Sequence, residues 1–288
     1  MPSSLESVEY LGIIGRSLKH TLSPVMHTAV FRSLGLPYSY GVMEVTAEFL
    51  PSLLCSLRTR GFLGANVTIP HKQAIISFLD AIDPDAQAIG AVNTILHKGG
   101  VLTGFNTDVV GVRNALRPFA TMIRGRSALV IGAGGGTRAV IASCVKDYAM
   151  DHITVYNRTP ERAVELVASM GQRLPSCRYD TINGLQELPE AVAASSLIVN
   201  TTPIGMNSDA SPLPRNISFS KNQLVFDVVY SPLQTTLMQQ AHADGAQTIG
   251  GLEMLLHQGA EAFRIWTGKE FAMDVARTAV IQQLRTLS

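Results

Sequence analysis

The stretch Ala128-Leu-Val-Ile-Gly-Ala-Gly-Gly-Gly-Thr-Arg-Ala139 carries the strongest structural signal in this chain. Its first four residues have the pattern of a short buried strand, and the glycines that follow let the backbone approach a pyrophosphate at the N-terminus of the next helix. The spacing departs from G-x-G-x-x-G, because Thr137 takes the third position counted from Gly132 and Ala139 takes the last position counted from Gly134. Strand, glycine loop and helix together predict a dinucleotide-binding unit.

The segment Val155-Tyr-Asn-Arg-Thr159 is expected to end the next strand. An acidic residue at this point normally binds the ribose 2′-hydroxyl of NAD, whereas here the residues are amide, basic and hydroxyl, with Arg162 one helical turn further. This pattern predicts NADP as the cofactor. The residues assigned to it are Gly132, Ala133, Gly134, Gly135, Gly136, Thr137, Asn157, Arg158, Thr159 and Arg162, together with Gly251 from a later glycine pair.

Length and composition favour a soluble protein of two domains. The chain has 288 residues, of which 46% are hydrophobic and 16% charged, so proper cores can form. Lys and Arg total 23 against 22 Asp and Glu, and no basic run supplies a patch for nucleic acid. We therefore expect a small-molecule substrate and no nucleic-acid partner.

The cysteines and the N-terminus favour the cytoplasm. Cys55, Cys144 and Cys177 are odd in number and widely spaced, which argues against a disulfide framework. The first seven residues have no signal-peptide pattern, and no apolar run reaches the roughly 18 residues of a membrane span. The histidines lack the i, i+4 pairing or cysteine partners of a zinc site, so no metal is assigned.

Strand and helix patterns alternate in the first hundred residues. Strands are predicted at 10–15, 38–44 and 64–68, each followed by a helix: Pro24 to Leu34 with Ser23 as N-cap, a stretch from near Glu48 to Thr59, and one after Pro70. The segments around 91–96 and 101–103 flank a glycine turn and predict a β-hairpin at the edge of the same sheet. This order is typical of an α/β domain with a mainly parallel sheet.

The rest of the chain predicts a Rossmann-type domain and two terminal helices. Asp108 to Phe119 is expected to be a connecting helix, with strands following at 127–131, 153–156, 197–200 and 224–229. Helical patterns at 254–266 and 272–287 have no strand of their own, so they should return to the first sheet, with Gly250-Gly251 as a hinge. The predicted boundaries are 1–108 plus 250–288 for a substrate domain and 109–249 for an NADP domain.

Four polar clusters lie where strands end outside the nucleotide unit: His20-Thr-Leu-Ser-Pro24, Asn66-Val-Thr-Ile-Pro-His-Lys72, Gly90-Ala-Val-Asn-Thr94 and Gly104-Phe-Asn-Thr-Asp108. Ligands of open α/β sheets bind at strand ends, so these hydroxyls, amides and charges could converge on a polyhydroxylated acid. The chain resembles the shikimate dehydrogenases over nearly its whole length. It carries their H-S-x-S-P, N-V-T-x-P-x-K, G-A-V-N-T, G-x-N-T-D, G-x-G-G, N-R-T, Y-x-P and Q-x-G/A elements in order, with Thr21 in place of the first serine.

The resemblance implies reversible reduction of 3-dehydroshikimate to shikimate by NADPH, a step toward chorismate and the aromatic amino acids. It also implies residue roles. Lys72 and Asp108 would form the catalytic pair, because a lysine beside a carboxylate can stabilise a developing alkoxide and exchange a proton with it. Thr21 and Ser23 would hold the substrate carboxylate, with Tyr230 near it. Thr68, Asn93 and Gln258 would bind the substrate hydroxyls.

Each assignment has a structural alternative. Asp108 could cap the following helix, Asn93 could satisfy the backbone of the hairpin, and Gln258 or Tyr230 could be ordinary packing residues. Trp266 and its apolar neighbours at helical spacing are expected to pack in the core. Thr21 leaves open a quinate/shikimate dehydrogenase of broader range, and a non-catalytic metabolite sensor is the rival from another class. The chain could be a monomer or a homodimer.

Overall fold

The computed structural model describes residues 9–59 and 61–287, which divide into two compact units. The first unit contains the chain up to Thr107 together with the residues from Gln258 onward, and the second unit is Asp108–His257. Each unit has one six-stranded sheet with helices connecting its strands. The α/β class predicted from the alternating patterns is confirmed.

The sheet of the first unit is mainly parallel. Its strands are β1 (Glu9–Gly15), β2 (Tyr38–Glu44), β3 (Phe62–Val67), β4 (Ala81–Ile82), β5 (Thr94–Lys98) and β6 (Val101–Phe105), in the order β2-β1-β3-β5-β6-β4. β1 is parallel to β2 and β3, and β4 is parallel to β6, whereas β5 runs antiparallel to both of its neighbours. The predicted hairpin is present as β5 and β6. Its edge position is wrong, because the two-residue β4 lies outside it.

Up to Thr107, the α-helices of the first unit are α1 (Ser23–Ser33), α2 (Leu50–Ser56) and α3 (Pro84–Ile89). The predictions for this part of the chain are wrong at two helix positions. Ser23 is not the N-cap of α1: the Met26 N–H donates to the Leu22 carbonyl, at 3.0 Å, so the helix begins one residue earlier than predicted. The predicted α-helix directly after Pro70 is wrong, because a 3₁₀ helix spans Ala74–Phe78 there. The Lys72 carbonyl accepts the Val92 N–H at 2.7 Å and so does not start an α-helical ladder.

The second unit is the predicted Rossmann-type structure. Its strands are β7 (Ser127–Ile131), β8 (His152–Tyr156), β9 (Arg178–Ile182), β10 (Leu197–Asn200), β11 (Leu224–Asp227) and β12 (Gln247–Gly250), all parallel, in the order β12-β11-β10-β7-β8-β9. The helices are α4 (Asp108–Leu116), α5 (Ala120–Ile123), α6 (Gly135–Lys146), α7 (Pro160–Arg173), α8 (Leu188–Ala194) and α9 (Thr236–Ala243). The strand order reverses between β7 and β10, which is where such sheets bind ligands.

Strands β9 and β12 are absent from the predicted elements. Both are edge strands with a single neighbour, and they contain polar residues: Arg-Tyr-Asp-Thr-Ile and Gln-Thr-Ile-Gly. The inner strands β7, β10 and β11 are almost wholly buried, and β8 buries Ile153 and Val155 on one face. These apolar positions are what the sequence pattern revealed.

The two terminal helices, α10 (Gly251–Thr267) and α11 (Met273–Leu287), return to the first unit from Gln258 onward, as predicted. The Trp266 indole N–H donates to the Ile95 carbonyl in β5, at 2.9 Å. Gly64 in β3 makes this possible, because a Cβ there would collide with the indole. Trp266 is 5% exposed, which confirms its predicted core position. No helix among the described residues is long and apolar enough to span a membrane.

Candidate active site

Gly132, the first residue after β7, turns the chain toward α6. Its φ is +114°, a conformation that side chains disfavour, and a Cβ would collide with the Thr201 hydroxyl that follows β10. Its N–H donates to the Tyr156 carbonyl of β8 at 2.7 Å. The turn is therefore fixed against both strands that flank β7, and only glycine fits there.

Gly134 and Gly136, at the start of α6, have a different reason to be glycine. A Cβ added at either residue meets nothing within 4 Å, so the packing of the chain itself does not require glycine at these positions. A helix also begins here, and the first N–H groups of a helix have no intrahelical acceptor. Free space beside unpaired N–H groups at a helix N-terminus fits the phosphates of a dinucleotide.

Thr137 replaces the third glycine of the fingerprint without disturbing the turn. Its hydroxyl accepts the Gly134 N–H at 3.0 Å and lies 2.8 Å from the Thr201 hydroxyl, which in turn donates to the Ile131 carbonyl at 2.7 Å. Thr137 is fully buried. The side chain thus ties the first turn of α6 to the ends of β7 and β10, which explains why this position accepts a threonine.

The basic residues after β8 are available to a ligand. Arg158, Thr159 and Arg162 are exposed, and neither guanidinium has an ion-pair partner among the described residues. The Asn157 side chain donates to the Thr159 carbonyl at 2.8 Å, which holds the short turn before α7. The residues present fit the 2′-phosphate of NADP, since arginine is the preferred partner of phosphate.

In the first unit, the predicted carboxylate-binding residues lie together. The Thr21 hydroxyl donates to the Ser23 hydroxyl at 3.5 Å, and Ser23 is buried at the first position of α1. Gln258 is buried on α10, and its neighbour Gly259 packs against Met26 and His27 of α1 so closely that a Cβ would collide with Met26. Gln258 and Ser23 therefore sit on helices in direct contact.

A buried chain of hydroxyls and amides continues from this point. The Tyr40 hydroxyl donates to Asn66 Oδ1 at 2.6 Å, and Asn66 Nδ2 donates to the Thr94 hydroxyl at 3.2 Å. Thr94 donates to Asn93 Oδ1 at 3.0 Å, and Asn93 Nδ2 donates to the Thr107 hydroxyl, also at 3.0 Å. Among these five hydrogen-bonded residues, only Asn93 has a role predicted from the sequence. The other members were visible within the motifs, except Tyr40, which no motif contains.

The catalytic pair predicted from the sequence is divided between the two units. Lys72 is half-buried in the first unit, directly after the buried His71, whose ring nitrogen Nε2 lies 2.8 Å from the Val45 carbonyl. Asp108 is buried and is the first residue of α4 in the second unit, immediately after Thr107. Thr68 is half-buried, and its N–H donates to the Ile14 carbonyl at 2.8 Å, which aligns the end of β3 with the end of β1.

A second polar cluster, missed in the sequence, lies at the end of β11. The Asp227 carboxylate is fully buried and accepts hydrogen bonds from the side chain of Asn200, the N–H of Val229 and the hydroxyl of Thr235, at 2.9, 3.0 and 2.7 Å. Burial raises the pKa of this carboxyl above its usual value. Asp227 thereby holds the chain just before Tyr230, which is half-buried.

Packing within the second unit requires glycine at position 251. A Cβ there would collide with the Val228 carbonyl, and the Gly251 N–H donates to the Val229 carbonyl at 3.1 Å. Its assignment to the cofactor stays a prediction. Within the part of the chain that the structure describes, no group of three or more His, Cys, Asp or Glu side chains could hold a metal ion.

The parallel sheet with its glycine loop, next in the chain to a unit lined by buried hydroxyls and amides, defines a dinucleotide-dependent oxidoreductase. Family models match three stretches: the shikimate dehydrogenase substrate binding domain at residues 13–95, shikimate / quinate 5-dehydrogenase at 114–230 and the shikimate 5′-dehydrogenase C-terminal domain at 251–281. The chain belongs to the shikimate dehydrogenase family, as its motifs predicted.

Individual relatives agree with this membership. The chain is 39% identical over 277 residues to a shikimate dehydrogenase (NADP(+)) from Symbiobacterium thermophilum, covering 95% of this chain and 94% of the relative. It is similar to a Thermus thermophilus shikimate 5-dehydrogenase solved with NADP(H) and shikimate, with 38% identity, a TM-score of 0.82 and coverage of 96% and 99%. A quinate dehydrogenase from Corynebacterium glutamicum solved with NAD has 29% identity and a TM-score of 0.87, with coverage of 96% and 99%.

Proposed function

We propose that this chain catalyses the reversible, NADP-dependent interconversion of 3-dehydroshikimate and shikimate on the route to chorismate and the aromatic amino acids. The observation that carries the proposal is the buried chain from Tyr40 through Asn66 and Asn93 to Thr107, with Ser23 on the adjoining helix. Such a row of fixed hydroxyls and amides suits a small acid with several hydroxyls. Relatives whose names state this activity match nearly the full chain.

Each of the two predicted domains binds one of the two small molecules. Residues 1–108 with 250–288 bind the substrate, and residues 109–249 bind NADP. This division is supported by the two compact units and by the substrate-binding family model at residues 13–95. The Gly250-Gly251 pair serves as the hinge, although the boundary between the compact units falls later, within α10.

The nucleotide loop holds the cofactor by its backbone and by basic side chains. Gly132 to Thr137 would bind the pyrophosphate at the N-terminus of α6, where free space replaces two Cβ atoms. Arg158 and Arg162 would bind the 2′-phosphate, with Asn157 and Thr159 shaping the turn between them. When bound, the reduced cofactor supplies the hydride.

The catalytic pair handles the proton. In the reducing direction, Lys72 donates a proton from Nζ to the ketone oxygen, and in the oxidising direction it receives the proton from the hydroxyl. Asp108 orients Lys72 and accepts a hydrogen bond from a neighbouring substrate hydroxyl. The ammonium also stabilises the alkoxide that develops between these two states.

The remaining assigned residues bind and orient the substrate. Thr21 and Ser23 donate to its carboxylate, with Tyr230 close by, and Thr68, Asn93 and Gln258 bind its hydroxyls. Burial supports this reading, because Ser23, Asn93 and Gln258 are each less than 10% exposed and can act only on a ligand that enters the fold. No metal takes part in this proposal.

A quinate/shikimate dehydrogenase of broader range is the second candidate. Thr21 favours it, because its methyl group changes the space beside the carboxylate-bearing carbon, where quinate carries an extra hydroxyl. The similarity to a quinate dehydrogenase supports it as well. The basic Arg158 favours NADP in either case.

The expected partners are small molecules alone, with no nucleic acid and no membrane, in a monomer or a homodimer. The proposed cytoplasmic location is supported by the three cysteines, which are free, two of them buried. Near-equal numbers of acidic and basic residues leave no global charge to attract a polyanion.

One experiment tests the proposal: initial rates for shikimate and quinate oxidation, each with NADP and with NAD, on the purified full chain. Rapid shikimate oxidation with NADP and slow rates for the other pairs are the expected result. Comparable quinate oxidation would replace the first candidate by the second. Absence of turnover with every pair, accompanied by measurable shikimate binding, would overturn both in favour of a metabolite sensor.

A further inference from the structure

Tyr40 occupies a central position in the first unit that no motif predicted. Its ring is 8% exposed and stacks on the ring of His27, with centroids 4.7 Å apart and planes 13° from parallel. The centroid of the Trp266 ring lies 6.3 Å from that of the Tyr40 ring. The ring of Tyr40 therefore has little freedom to move, and its hydroxyl is held at a fixed point.

The Tyr40 hydroxyl joins two groups of residues that were assigned separately. It donates to Asn66 Oδ1 at 2.6 Å. Burial raises the pKa of Tyr40, and the nearby Ser23 side chain opposes that rise, which brings Ser23 to the same phenol oxygen. Ser23 belongs to the proposed carboxylate site. Asn66 begins the chain that leads to Asn93, in the proposed hydroxyl site.

The single proton of the phenol sets the orientation of the Asn66 amide. Because Asn66 Oδ1 accepts from Tyr40, the amide must present Nδ2 to Thr94. Thr94 then directs its own proton to Asn93 Oδ1, which leaves Asn93 Nδ2 as a donor. An asparagine amide can otherwise be turned either way; the phenol fixes the Asn66 amide, and the Thr107 N–H, which donates to Asn93 Oδ1 at 2.7 Å, fixes the Asn93 amide in the matching direction.

His27 supports the ring without competing for its hydroxyl. Both of its ring nitrogens are buried and have no hydrogen-bond partner within the described chain. Burial lowers the pKa of His27 to about 3, so the imidazole is neutral at ordinary pH. It acts as a flat packing surface for Tyr40, much as Phe31 and Phe263 pack against each other nearby.

We propose that Tyr40 is a positioning residue for the substrate, whose hydroxyl fixes Ser23 and Asn66 together so that the carboxylate and the ring hydroxyls are bound in one register. The inference rests on the proposed function, because it assigns those two groups to a hydroxylated acid. A purely packing tyrosine would need only its ring. The hydroxyl, buried, bonded to Asn66 and next to Ser23, is the part that packing does not explain.

The test is Tyr40→Phe, with Tyr38→Phe as the matched control on the same strand. Tyr38 lies edge-on to Phe31, with centroids 5.4 Å apart, and its hydroxyl has no hydrogen-bond partner among the described residues. We expect Tyr40→Phe to raise the KM for shikimate by about ten- to a hundredfold, since a buried acceptor loses its donor. The turnover number and the KM for NADP should change by less than about threefold, and Tyr38→Phe should change none of the three.

A second measurement separates positioning from loss of structure. In a double-mutant cycle, Tyr40→Phe and Ser23→Ala should be strongly non-additive in the KM for shikimate, because they disturb one hydrogen-bonded unit. The increase in melting temperature caused by shikimate, measured for the same variants, tests this non-additivity through binding alone. Additive effects would overturn the proposal, as would a Tyr40→Phe enzyme that matches Tyr38→Phe or loses turnover and both affinities equally.

Failure of the role proposed for Tyr40 can be distinguished from failure of the proposed function. Wild-type enzyme that oxidises shikimate while Tyr40→Phe behaves like its control would remove this inference and leave the function intact. Wild-type enzyme that neither binds nor oxidises shikimate would remove the function and, with it, the role given to Tyr40.

Discussion

The Asp227 carboxylate accepts a hydrogen bond from the Thr235 hydroxyl at 2.7 Å, and Thr235 in turn caps α9 by accepting the Met238 N–H at 3.3 Å. The same carboxylate accepts from Asn200 after β10 and from the N–H of Val229. One side chain thus anchors three segments of the second unit. Those segments include the residue immediately before Tyr230.

Asp227→Ala should therefore destabilise the folded state. It leaves three buried donors unpaired, and we expect the free energy of unfolding to fall by about 3 kcal/mol or more, measured by urea denaturation. Asp227→Asn is the control, since one amide oxygen can still accept from Asn200 and Val229. An alanine variant as stable as the asparagine variant would contradict the anchoring role.

The pH dependence of the asparagine variant provides a second check. Burial raises the pKa of Asp227, so the folded state holds this proton more tightly than the unfolded chain does. As pH rises from the unfolded pKa, near 3.8, through the folded one, ionisation lowers the stability of the wild type. Asparagine cannot ionise, so the stability of Asp227→Asn relative to wild type should improve from about pH 4 to pH 7. A constant or opposite difference would show that the carboxyl is not destabilised by burial.

Two glycines of the nucleotide loop should respond differently to alanine. Gly132→Ala forces a side chain into positive φ and against Thr201, so we expect a loss of about 1–3 kcal/mol in stability together with weaker NADP binding. Gly134→Ala meets nothing within the chain and should change stability by less than about 1 kcal/mol while still weakening NADP binding. Thermal denaturation and NADP titration measure the two effects. Unchanged NADP affinity in Gly134→Ala would argue against a pyrophosphate at this helix.

Arg158→Ala should weaken the binding of NADPH by about ten- to a hundredfold and leave the binding of NADH nearly unchanged, because only NADPH carries a 2′-phosphate. The KM values for both cofactors measure this. Arg126→Ala is a suitable control, since Arg126 is also exposed in the second unit but lies at the opposite end of β7 from the glycine loop. Equal losses for NADPH and NADH would refute the 2′-phosphate assignment.

Lys72→Ala should lower the turnover number by about a hundredfold or more while NADP affinity is retained, because the proton donor for the substrate oxygen is lost. Steady-state rates with shikimate and a separate NADP titration measure the two quantities. Lys98→Ala, at the exposed end of β5, is the control and should be active. Near-normal turnover in Lys72→Ala would exclude it from the mechanism.

Local patterns predicted the inner strands of both sheets well. An apolar run such as Leu197–Asn200 reports its own burial, whereas β9 carries Arg178 and Asp180 and gives no such signal. The expected helix after Pro70 failed for a non-local reason, since Val92 binds the Lys72 carbonyl from 20 residues further along the chain. Thr137 lies in the first turn of α6, and its contact with Thr201 could not be foreseen from spacing.

The sequence by itself determined the family, the α/β class and the NADP-type loop, because these depend on residues that are neighbours in the chain: glycines at a strand end, a hydroxyl beside a proline, an arginine one turn into a helix. Only the tertiary structure decided the pairings between distant residues. Tyr40 meets Asn66 from 26 residues away, Asn200 meets Asp227 from 27, and Trp266 meets Ile95 from 171. Such pairs form because packing removes water from polar groups, which must then find a partner inside the fold, and which partner lies within reach is a property of the folded chain.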